Sequence, residues 1–157
     1  MKKLTCSTTL SILALLFSGT VTAAPIYWTD WTGTDQDAGP GFVGGGVITT
    51  STSSVDVTYT NTNGIGFYQP SGGIDYYQNG RSGRDDSISP YTSSVVDNSP
   101  TGTDIVALSR AGNQTLTFSE TIANPVFAFV SLNGNGYSFL NQDFNILSVG
   151  GEDGNAC

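Results

Sequence analysis

Short bursts of alternating apolar and polar residues, each closed by turn chemistry, constrain this chain more than any other feature of its sequence. They run from Ile26 to Trp31, Gly46 to Thr50, Val55 to Tyr59, Ile65 to Tyr68, Ile74 to Tyr77, Ile105 to Leu108, Leu116 to Phe118, Pro125 to Leu132 and Phe144 to Val149. A period of two sends successive side chains to opposite faces of a strand, which suits a half-buried sheet. Asn63-Gly64, Asn79-Gly80, Asn133-Gly134 and Asn135-Gly136 supply residues that tolerate the positive φ of tight turns. Beyond the N-terminal stretch, no helical period persists over three turns. The expected fold is therefore all-β, an antiparallel β-sandwich of jelly-roll type. Val126 to Val130 is apolar on both faces and is expected in the middle of the core.

The first residues belong to a different pattern. Lys2 and Lys3 precede an apolar stretch from Leu10 to Phe17 and a small-residue run, Val21-Thr22-Ala23-Ala24. That order is a secretory signal, expected to be cut after Ala23, and the apolar stretch is too short for a transmembrane helix. Residues 1–23 are read as signal peptide and 24–157 as one β-sandwich domain, secreted and without a stable membrane anchor. Cys6 leaves with the signal, so Cys157 is the single cysteine of the mature chain. An intermolecular bridge, a reactive tail or a missing partner each accounts for it. Phe144 to Val149 lacks a return strand before the sequence stops, and the domain reads as C-terminally truncated.

Without the signal, Arg81, Arg84 and Arg110 face thirteen carboxylates, a formal charge of −10. Such a surface repels phosphate backbones and lacks the cations needed for counter-ion release, which argues against nucleic acid as a partner. The aromatic content of 11% separates the chain from disordered acidic segments. Between Gly80 and Pro100 the strand pattern lapses into a long surface loop. There Arg81 and Arg84 stand close enough in sequence to neutralise Asp85 and Asp86.

Histidine is absent, which removes the usual general base of serine and cysteine hydrolases and the commonest zinc ligand. Gly44-Gly45-Gly46 precedes a strand instead of a helix and is a bulge or turn, not a phosphate cradle. Asp85, Asp86, Asp104 and Glu120 remain as carboxylates for glycoside hydrolysis, which needs a pair. Asp35 and Asp37 have the opening spacing of a calcium loop without its third ligand or distant Glu, and Glu152 to Asn155 forms a similar cluster. Calcium is the cofactor these loops suggest, beside their reading as plain acidic turns. Tyr27, Trp28, Trp31, Tyr76 and Tyr77 are the candidate ligand-binding aromatics, suited to stacking on sugar rings where several share a face.

Tyr27-Trp28-Thr29-Asp30-Trp31, Val55-Asp56-Val57-Thr58-Tyr59, Asp104 to Ser109, Asn124 to Leu132 and Phe144 to Ser148 together resemble secreted bacterial proteins of the PEP-CTERM sorting class. The resemblance spans nearly all of the mature chain and rests on strand pattern, not on a catalytic signature. It implies an exported β-sandwich at the cell surface or in exopolysaccharide matrix. The Pro-Glu-Pro motif, apolar segment and Arg-rich tail of that class are missing from this sequence. The expected function is a non-enzymatic extracellular matrix or surface protein that binds polysaccharide or cell-surface components. The alternative is a small carboxylate-dependent hydrolase of extracellular polysaccharide.

Overall fold

The computed structural model describes residues 22–78, 84–132 and 136–150. The described residues form six strands and no helix: β1 (Thr29–Thr32), β2 (Phe42–Thr49), β3 (Ser54–Asn61), β4 (Phe67–Gln69), β5 (Ile105–Ala107) and β6 (Gln114–Phe118). All pairings between these six strands are antiparallel. Four strands make one sheet in the order β1-β2-β3-β6, and β4 and β5 make a second, two-stranded sheet. The fold is all-β and sandwich-like, as the alternation requires. No helix among the described residues is long and apolar enough to cross a membrane.

The β2–β3 hairpin is the centre of the larger sheet. Its strands pair along eight positions, from Phe42 opposite Asn61 to Thr49 opposite Ser54. Thr50 and Ser53 close the turn, with the Thr50 N–H donating to the Ser53 carbonyl at 2.9 Å. Along β3, Val55, Val57 and Tyr59 are buried while Asp56 and Thr58 face solvent. On the same buried face, β2 presents Phe42, Gly44 and Gly46.

The two glycines are needed for their lack of a side chain. A Cβ on Gly46 would lie 2.9 Å from the Asp30 carbonyl oxygen and 3.0 Å from the Trp31 ring, and one on Gly44 would lie 2.8 Å from the Phe42 ring. The space is taken by a run of rings: Trp31 meets Tyr59 edge-on at 6.2 Å, and Phe42 packs on Tyr59 at 6.0 Å and on Tyr68 at 5.1 Å. Tyr68 belongs to β4, so these contacts lay the small sheet over one end of the large one. Its hydroxyl also donates toward the carbonyls of Thr32, at 2.8 Å, and Gly45, at 3.1 Å. The Gly44 to Gly46 run is thus a packing device inside a strand, where the sequence suggested a bulge or turn.

Three strand expectations are corrected. Ile74 to Tyr77 enters a turn, drawn round by the Asp75 carboxylate, which accepts the Tyr77 N–H at 3.0 Å. Pro125 to Leu132 forms no strand and does not lie at the centre of the core. The flanking Asn124 (φ 49°) and Ser131 (φ 59°) adopt left-handed conformations that interrupt an extended chain, and Phe127 is 39% exposed. Phe144 to Val149 is likewise unpaired and exposed along its length. These residues form an aromatic group of their own, with Phe127, Phe129, Tyr137, Phe139 and Phe144 linked ring to ring. Residues 1–21 of the signal segment, the expected turns Asn79-Gly80 and Asn133-Gly134, Asn135 of the last such turn, and Glu152 to Asn155 fall outside the described residues.

Gly46→Ala is expected to cost about 1–3 kcal/mol, because the added methyl meets a backbone oxygen that cannot yield. Gly45→Ala, whose Cβ would meet nothing nearer than the Gln36 side chain at 3.4 Å, should cost much less. Urea denaturation of the two variants against the parent chain checks the difference.

Candidate functional site

Where the small sheet leaves the buried face of the large sheet uncovered, a cavity of about 360 Å³ opens beside Ile48, Val57, Leu116 and Phe118. Its other walls are the N-terminal segment 25–29, residues 100–102 with Asp104, and the stretch 122–128. The N-terminal wall is tied down across the chain. Ile26 donates its N–H to Asn98 Oδ1 at 2.6 Å, and Asn98 Nδ2 returns a bond to the Ile26 carbonyl at 2.9 Å. Just upstream, Ala24 bridges Val96 in parallel.

Tyr27, Trp28, Trp31 and Tyr77 line this one cavity. A strand running from Ile26 to Trp31 would send Trp28 and Trp31 to different sides, but β1 starts only at Thr29, so Trp28 is free of that constraint. Tyr76 is not part of the lining and packs on Phe67 at 5.9 Å. Trp28 Nε1 is buried with no hydrogen-bond acceptor, and an unsatisfied buried donor of this kind costs about 1–3 kcal/mol.

Asp104 is the carboxylate of the cavity lining, and it is 9% exposed. Its Oδ2 accepts the Trp31 N–H at 2.9 Å. Burial raises its pKa above the ordinary carboxylate value, the Trp31 N–H pulls it back, and the charge of Asp30 pushes it up again. Tyr77 is pushed up to about 12, first by burial and then by the charge of Asp104.

Arg84 fixes the wall behind Tyr77. Its Nε and one terminal nitrogen grip the two oxygens of Asp75 at 2.7 and 2.8 Å, and the same terminal nitrogen donates to the Gly102 carbonyl. The guanidinium carbon lies 5.7 Å from the Tyr77 ring centre. Arg84 therefore holds Asp75, where the sequence suggested Asp85 or Asp86, because the turn at 75–77 brings that carboxylate into bidentate reach. The pairing holds the Asp75 carboxyl below its ordinary range. Nor is the 80–100 region only surface: Ser89, Val96 and Ser99 are buried.

The other candidates lie elsewhere. Asp35 Oδ1 accepts the N–H groups of Asp37 and Val43 at 2.9 and 3.0 Å, and Asp37 Oδ1 accepts that of Gly39 at 2.7 Å. These carboxylates organise the β1–β2 loop, and no group of three or more potential metal-ligating Cys, Asp or Glu converges among the described residues. Asp85 accepts from Ser87, Asp86 accepts the Ser99 N–H at 2.9 Å, and Glu120 is exposed. None of these three lines the cavity with Asp104. No known protein family, curated protein or solved structure matches the chain.

Opposite pH signatures are expected from the two buried-side carboxylates. A raised Asp104 pKa stabilises the fold most below the unfolded value near 3.9, and this contribution falls as pH rises through the folded value. The stability of the parent chain minus that of Asp104→Asn should therefore decrease with rising pH. For Asp75 the difference from Asp75→Asn should instead grow as pH rises out of the acid range, reaching about 1 kcal/mol near neutrality. Urea titrations of both variants between about pH 3 and 7 test both signs.

Proposed function

We propose that this protein is a non-enzymatic extracellular glycan-binding component of a bacterial surface or exopolysaccharide matrix, and that the cavity beside Trp28 and Trp31 receives the sugar. The observation that carries the reading is the meeting of two tryptophans and two tyrosines with the Asp104 carboxylate in the lining of one cavity. Pyranose rings have apolar faces and hydroxyl edges, so ring stacking with a few placed polar atoms is the chemistry that recognises them. Trp28 Nε1–H is a donor without an acceptor, and a sugar oxygen would satisfy it. The resemblance to exported PEP-CTERM-class proteins and the signal-like N-terminus support the compartment.

Hydrolysis by paired carboxylates finds less support, since both glycosidase geometries need two such groups flanking the scissile bond. Asp104 has no carboxylate companion in the lining among the described residues.

Titration of the purified chain with a panel of soluble neutral and acidic polysaccharides, followed by tryptophan fluorescence, is the direct test. Saturable binding is expected, weakened about tenfold or more by Trp28→Phe, about 1.4 kcal/mol, and unchanged by Tyr76→Ala. Absence of binding to every glycan in the panel would remove the proposal.

A further inference from the structure

The large sheet has two edges, and they end differently. The Ser119 N–H donates to the Asp56 carbonyl at 2.9 Å and the Asp56 N–H donates to Ser119 Oγ at 2.9 Å, so at this position the backbones of β3 and of the residue after β6 face each other. Antiparallel ladders alternate, so with Val57 opposite Phe118 and Tyr59 opposite Leu116, the backbone groups of Gln114, Leu116 and Phe118 point away from β3. No further strand pairs with them among the described residues. At the other edge the corresponding outward N–H, that of Trp31 in β1, is already held by Asp104.

Exposed strand edges are usually guarded by charge, proline or a bulge. Asp104 is such a guard on β1, whereas β6 reads Gln-Thr-Leu-Thr-Phe, without charge or proline. We propose that β6 is a self-association edge, on which the β6 of a second copy adds antiparallel about a two-fold axis through Leu116. Gln114 then faces Phe118 of the other copy and Leu116 faces its own equivalent, with about six backbone hydrogen bonds formed. The occupant is a second β6 because the ligand of an open edge is another open edge. β1 is blocked at its centre, and the strands of the small sheet offer three residues each. With one open edge of the large sheet per copy among the described residues, the assembly closes at two.

Pairing in this register uses backbone groups that face away from β3 and leaves the β3–β6 ladder as it is. It makes an eight-stranded sheet with both cavities on one face, because Leu116 and Phe118 line the cavity and side chains opposite one another share a face. A contact of five residues per copy falls below the usual area of a stable interface, so the dimer is weak and concentration-dependent. Both copies carry net negative charge, and salt therefore strengthens the association by screening their repulsion.

Sedimentation equilibrium of the purified chain, with reductant present to keep Cys157 from forming bridges, reads the mass from roughly 10 μM to 1 mM, the range in which a contact of this size associates. The expected result is a mass rising from one copy toward two, more steeply at higher salt, and not rising in Gln114→Pro. That substitution removes an N–H that points away from β3 and so spares the β3–β6 ladder. Hydrogen exchange at the Leu116 amide of the unsubstituted chain is the second reading, and should slow about tenfold or more as concentration rises. A single-copy mass throughout, growth past two copies, an unaffected Gln114→Pro dimer, or a Leu116 amide equally protected at all concentrations would each overturn the proposal. Sugar binding enters none of these readings.

Discussion

The rest of the structure depends on how closely aromatic rings lie against a strand stripped of side chains. β2 gives up two Cβ atoms on its buried face, at Gly44 and Gly46, and the rings of Phe42 and Trp31 occupy the space. Tyr68 reaches the same surface from the small sheet and adds a hydroxyl directed at two backbone carbonyls. A glycine within a strand sacrifices backbone entropy and side-chain packing. Here the loss is offset by the burial of several large rings, one pair meeting edge-on and two tilted. Because β4 is seated there, the connection from β4 to β5 must begin and end above the same patch.

That connection, residues 70–104, is the part that turns a small sandwich into one with a cavity. A long loop adds little closure entropy per residue, but ordering its backbone is costly. It is anchored at separated points: Tyr77 against Tyr91, Arg84 on Asp75 and Gly102, Val96 in the interior, Asn98 on Ile26 and Asp104 on Trp31. Asp104 has two roles at once. It supplies a polar atom to an aromatic wall and it occupies the edge of β1, so the chemistry of the cavity and the termination of the sheet share one side chain.

Much of this architecture was legible in the residues. The β2–β3 hairpin follows from the alternation at Val55, Val57 and Tyr59, and the turn at Asn63-Gly64 is present with Gly64 at φ 74°. Four of the five aromatics singled out for a ligand do share one cavity. Periodicity could not reveal which carboxylate would be buried, because Asp104 meets Trp31 across 73 positions of sequence. The same holds for Arg84, whose nearest acidic neighbours in sequence differ from its partner in space. Pro125 to Leu132 shows the limit of pattern reading in the opposite direction. Its apolar residues suit a central strand, yet a strand exists only where another backbone lies alongside, and left-handed residues at each end carry this segment over the cavity instead.

The stitch between Ala24 to Ile26 and Val95 to Asn98 has a consequence for the order of events in the life of the chain. Synthesis proceeds from the N-terminus, so this wall of the cavity emerges some seventy residues before the Asn98 side chain that brackets it. The β2–β3 hairpin, whose partners are adjacent in sequence, closes a far shorter loop. Contacts between distant residues form late because they must overcome the entropy of the intervening chain. The N-terminal segment thus acts as a latch that closes across some seventy residues of already folded chain.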